Sequence, residues 1–167
     1  MDYKDVIRSQ YHASLEMLEQ AIAKCPESIW DNPGDKTKFW HIAYHTLFYT
    51  HLYLQVSEKA FVPWVKHRKD YHNMDPLPEP AHGLPETRIP YTKEDVLAYL
   101  TLCQEQVDEK TGQLKLDDKS GFSWLPFSKL ELQIYNIRHI QQHAGELMER
   151  LWSRANIDVD WISLKHG

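Results

Sequence analysis

Pro63, Pro76, Pro78, Pro80, Pro85 and Pro90 interrupt the middle of the chain. Proline lacks an N–H and clashes with the preceding turn, so no continuous helix crosses this stretch. On either side of it, apolar residues recur at helical spacing. The chain therefore divides into two helical halves joined by a long crossover. Such a crossover can run the length of a helical bundle, which allows the second and third helices to be parallel neighbours or a diagonal pair. Phe61, Trp64, Tyr71 and Tyr91 make it aromatic, so a packed segment is expected. Loops this long in a compact domain often carry function.

Ile7, Tyr11, Leu15, Leu18 and Ile22 mark a first helix over about residues 6–23. Residues 26–35, with Asn32, Pro33 and Gly34, read as turn. A second helix over about residues 36–57 is apolar on most sides, from Phe39 and Ile42 to Tyr53 and Leu54. Helices of that kind are buried, or are covered by a partner chain as well as by their own core. Thr92 is a good N-cap for a third helix, with Asp95 three residues on. Val96, Leu100, Cys103, Val107 and Leu114 form its apolar face. Residues 117–127 read as loop. Ser128-Lys-Leu-Glu131 is a capping box that opens a fourth helix. Its core stripe is Leu132, Ile140, Ala144, Leu147, Met148 and Leu151, with Arg138, Gln142 and Glu149 opposite, facing water. The tail after Asn156 is too short for another bundle helix, and Trp161 and Ile162 are expected to pin it. Without a convincing strand, the expectation is an all-α, four-helix-bundle domain over residues 1–167.

Two pairs of histidines stand out. His139 and His143 lie four residues apart in the fourth helix, and His41 and His45 are spaced the same way in the second. Four residues turn a helix through roughly 400°, so each pair leaves one face, one turn apart. His41, His45, Phe48 and Leu52 share a stripe, whereas His51 points roughly 240° away from His45. A paired i, i+4 imidazole set can grip a metal ion, and each pair needs the other to complete the shell. The HExxH zinc pattern is absent. The one Glu-x-x-His, Glu79-Pro-Ala-His82, lies in a proline-containing loop, unlike the helical motif of di-iron bundles. No CxxCH is present for covalent haem. What remains is a mononuclear site of two or three His, with water in the open positions, suited to zinc, nickel or iron(II).

Trp40-His-Ile-Ala-Tyr-His45-Thr-Leu-Phe48, followed much later by Asn136-Ile-Arg-His139-Ile-Gln-Gln-His143-Ala-Gly, resembles the DinB-like family of metal-dependent enzymes. The likeness spans nearly the whole chain, and Arg-His-x-x-x-His-x-Gly is its most specific part. It implies a four-helix bundle of up-down-down-up topology, a homodimer, and a divalent zinc or nickel ion on His45, His139 and His143. His41 is not a usual ligand of that family, so a role outside the ligand set is expected for it. Glu146 stands where the family often has Gln. The resemblance further implies a thiol-dependent S-transferase acting with a low-molecular-weight thiol, or a hydrolase, on a small-molecule substrate. Glu146, His41 and Tyr44 are candidates for acid–base work by their proximity to the motifs. Trp64 and Tyr71 are expected either to wall the pocket or simply to pack. A non-catalytic bundle that dimerises through its apolar second helix is the alternative.

The net charge of −5 and the scattered basic residues argue against a nucleic-acid partner, and so against the DNA-repair role the family's name suggests. No apolar run spans a bilayer, and the polar N-terminus does not read as a signal peptide. Cys25 and Cys103 stand alone, which fits two reduced thiols in a cytoplasmic protein.

Overall fold

The computed structural model describes residues 2–74 and 89–165. Pro76, Pro78, Pro80, Pro85 and the Glu79–His82 motif lie outside the described residues. The described residues form five α-helices: α1 (Tyr3–Lys24), α2 (Glu27–Trp30), α3 (Phe39–Tyr53), α4 (Lys93–Thr111) and α5 (Lys129–Ala155). Among them there is no strand, only one isolated bridge between Lys119 and Ser128.

Local chemistry sets the helix ends. Asp2 caps α1 by accepting from the Lys4 N–H, which starts the helix earlier than its apolar spacing indicates. The turn expected over residues 26–35 contains α2, whose Ile29 and Trp30 are buried. Trp30 Nε1 donates to the Tyr91 carbonyl, and this tertiary bond holds the short helix in place. Thr92 and Ser128 cap α4 and α5 as expected, accepting from the N–H groups of Asp95 and Glu131. Helix α3 is shorter than its apolar run. Lys38 Nζ donates to the carbonyls of Asn32 and Asp35, holding the preceding turn. At the other end, buried Lys129 Nζ donates to the carbonyls of Gln55, Val56 and Ser120. A cation there satisfies acceptors beyond the helix terminus and suits the negative end of its dipole.

Helix α1 packs against α4 and α5, and α3 packs against the same two, while α1 and α3 barely meet. Lys4 reaches Gly112 beyond the end of α4, and Lys93 reaches Cys25 beyond the end of α1, so these helices run in opposite directions. Tyr11 meets Gln133 near the start of α5, and Lys24 meets Asp158 past its end, so α1 and α5 run the same way. Asn136 bonds Thr50, and Arg150 bonds Thr37, so α3 opposes α5. Tyr44 packs on Tyr99 and Gln55 meets Gln106, so α3 and α4 run together.

Every residue of α3 is buried except His45 and Tyr49, which are half-buried. Its apolar girth is covered by its own chain. The crossover contributes to that cover: Phe61 packs on Phe48 and His51, and Tyr71 packs on Trp40, while Trp64 stacks flat on Tyr99 of α4, with ring centroids 4.7 Å apart. In the tail Val159 is buried, whereas Trp161 is 72% exposed and does not pin it. Cys25 and Cys103 are both free and buried. No described helix is long and apolar enough to cross a membrane.

Two glycines separate backbone cost from steric cost. Gly121 has φ +90°, and an added Cβ would lie 2.1 Å from the Val56 carbonyl oxygen. Gly145 is helical and an added Cβ meets nothing within 4 Å. Gly121→Ala is expected to lower unfolding free energy by at least ~2 kcal/mol. Gly145→Ala is expected to raise it by about 1 kcal/mol through helix propensity. Urea titration of both variants checks the opposite signs.

Candidate metal centre

Helices α3 and α5 face one another with their histidines in register. One ring nitrogen from each of His45, His139 and His143 lies within 4.8 Å of the others. His45 Nε2 and His139 Nε2 are 3.2 Å apart. Two imidazoles on one tetrahedral zinc, at about 2.0–2.1 Å each, would place their nitrogens roughly 3.3 Å apart. The His45–His139 spacing therefore fits a shared ion, and the His143 ring nitrogen lies within 4.8 Å of both.

The other sides of two rings are held. His45 Nδ1 lies 2.6 Å from the His72 carbonyl oxygen, so it carries the proton and leaves the Nε2 lone pair toward the cluster. His143 Nδ1 makes a longer contact, 3.3 Å, with Glu146 Oε2. Glu146 Oε1 in turn accepts from Arg150, whose guanidinium also donates to the Thr37 carbonyl. Carboxylate and carbonyl partners of this kind fix the tautomer and orientation of metal-binding imidazoles. His139 Nδ1 is buried and has no hydrogen-bond partner among the described residues. Burial is the main reason that His45 is lowered to about 4 and His139 to about 3, with neighbouring imidazoles adding to the effect. Both rings are neutral at pH 7, as ligation requires.

The three histidines line one end of a cavity of about 650 Å³. Phe48, Tyr49, Tyr53, Phe61, Trp124 and Tyr135 supply much of its wall. Trp64 and Tyr71 do not line it. The crossover contributes Phe61, His72 and Met74 instead.

The other sequence candidates separate clearly. Glu146 reaches the cluster through His143. His41 stacks on Trp40, and its Nε2 lies 2.8 Å from the Tyr71 carbonyl oxygen, so it is engaged outside the ligand set. The Tyr44 hydroxyl lies 2.6 Å from His67 Nδ1 within an aromatic cluster that includes Tyr91 and Tyr99. Neither residue lines the cavity. His72 and Tyr49 went unremarked as site residues in the sequence. Tyr49 was within reach of that reasoning, since it follows His45 by four residues. His72 was not, because it comes from a segment with no periodicity.

Comparison with protein-family models, curated proteins and solved structures gives no match to this chain. The site therefore stands on its own geometry.

Acid should destabilise the metal-free protein. Burial lowers His51 to about 4, with Lys110 adding to the shift, as burial lowers His45. Each folded value is below the unfolded one, about 6.5. The unfolded chain thus binds protons first as pH falls. The stabilisation from these neutral rings is complete above pH 6.5 and is lost progressively down through about pH 4. Urea midpoints measured with chelator present should fall from pH 7.5 to pH 4.5. An unchanged midpoint would mean these rings are not held neutral.

Proposed function

We propose that this chain is a metal-dependent enzyme whose divalent ion, zinc or nickel, is held by His45, His139 and His143. The four long helices would form an up-down-down-up bundle around that site. The observation that carries this reading is the convergence of three imidazoles, from two helices, at one end of an aromatic cavity. Three protein ligands with an accessible fourth position are the arrangement of catalytic sites, whereas structural zinc is closed by four. The pairwise helix directions support the bundle topology. The DinB-like resemblance, whose most specific part is the Arg138-His139-x-x-x-His143-x-Gly145 motif, points the same way.

A divalent ion bound there supplies Lewis acidity that lowers the pKa of a thiol or water in the open position. The protein's own groups do the rest. The His72 carbonyl holds His45 in one tautomer, and Glu146 orients His143. Aromatic walls limit water at the reacting end, which strengthens the electrostatics there. The reaction class that fits is transfer of a low-molecular-weight thiol to a small-molecule acceptor, or hydrolysis. Glu146 is the acid–base candidate in contact with a ligand ring, and its salt link to Arg150 favours a positioning role.

Elemental mass spectrometry should find close to one zinc or nickel per chain in the wild type and little in His143→Ala. Glu146→Gln should retain the site but weaken it by about 10–100-fold, as loss of a ligand's partner does. Chelation should abolish turnover while the helical signal persists. A wild type that takes up neither zinc nor nickel would overturn the reading.

A further inference from the structure

The walls of the cavity say which class of compound it receives. His45, Tyr49 and Tyr53 follow one another at four-residue intervals along α3, and Glu58 comes just after the helix ends. The two turns from His45 to Tyr53 span about 12 Å. Trp124 and Tyr135 line the same space, with the Tyr135 ring 5.8 Å from Tyr53 and Tyr53 5.5 Å from Tyr49. Burial raises the phenol of Tyr53, so this wall is neutral.

Charge is distributed unevenly along that length. Among the described residues no Lys or Arg lines the cavity. Arg138 lies 5.6 Å from the Tyr135 ring but is exposed and outside the lining. Glu58 is the acidic residue of the lining, and its carboxylate makes no ion pair or hydrogen bond among the described residues. Among the described residues an anionic ligand would find no cation in the lining itself, with Arg138 lying outside it, and would meet the Glu58 carboxylate. A cation would find both a carboxylate and aromatic rings, whose quadrupoles attract positive charge.

We propose that the compound received here is an organic cation with an aromatic or alkyl body. Its cationic group sits against Glu58 and the aromatic wall that includes Tyr53, and a donor atom at its other end reaches the three histidines. Only the donor end rests on the metal-site reading. The cationic end rests on the cavity wall.

The test uses the full chain freed of metal, with three probes of similar size: benzyltrimethylammonium, benzyl alcohol and phenylacetate. Binding is followed by tryptophan fluorescence and by chemical shifts. Benzyltrimethylammonium should bind at least tenfold more tightly than the other two. Glu58→Gln, at an exposed position, should keep the fold and cut that preference at least fivefold, leaving benzyl alcohol unchanged. Equal binding of the three probes, or a preference that survives Glu58→Gln, would overturn the proposal. His143→Ala separates the two readings. Ammonium preference retained there, in a protein whose wild type takes up no metal, would sink the metal reading and support this one. Loss of the preference in a protein that does load metal would sink this one alone.

Discussion

Helix α3 must be kept from water on almost every side. Its exposed surface is confined to His45 and Tyr49, one turn apart, and the rest of its circumference is buried. A single neighbouring helix covers only a stripe, so α3 needs α4, α5 and the crossover together. That requirement explains why the crossover is aromatic. Phe61 and Tyr71 supply rings that pack on Phe48 and Trp40, on the side the helices leave open. Among the described residues, the half-buried positions of α3 lie where the cavity and the histidines are. The site is thus the break in the packing of the most apolar helix, and the two residues left half-buried there both line the cavity.

Polar groups inside this core are organised around the same helix. Asn136 Nδ2 donates to both the Tyr11 hydroxyl and the Thr50 carbonyl, and the Tyr11 hydroxyl donates to Gln133 Oε1. One network thereby ties α1, α3 and α5 together where all three are fully buried. Buried polar groups without partners are costly, so the network constrains how α5 can slide or rotate against α3. Asn136 lies one turn before His139, so the network also sets the height at which His139 faces His45. Lys129 does the same at the start of α5, binding carbonyls that follow α3, and Arg150 bonds the Thr37 carbonyl on the other side of the histidines. The 3.2 Å spacing of His45 and His139 follows from this register.

Much of the architecture was legible in the residues. Thr92 and Ser128 announced their helices because capping is local chemistry, read within three residues. The apolar stripe of α5 was legible because a period of 3.6 residues survives whatever it packs on. Helix α2 was not, since four residues carry no period and its Trp30 is held by a carbonyl 61 positions away. The length of α3 was overestimated because apolar character continues past its end, where Lys129 and the loop around Gly121 take over the backbone groups.

For the site, the division has the same cause. Sequence alone determined that His45, His139 and His143 leave helix faces at a spacing suited to a metal, and that Glu146 stands one turn beyond His143. Those are consequences of local geometry. Tertiary structure decided that the two faces meet, with His45 and His139 nitrogens 3.2 Å apart. It also decided that His41 and Tyr44 are engaged elsewhere, and that a carbonyl at His72 orients His45. The aromatic cavity, with Glu58 toward its far end, belongs to the same class of fact. Each depends on contacts between residues distant in the chain, and no periodicity or motif encodes which distant residues will touch.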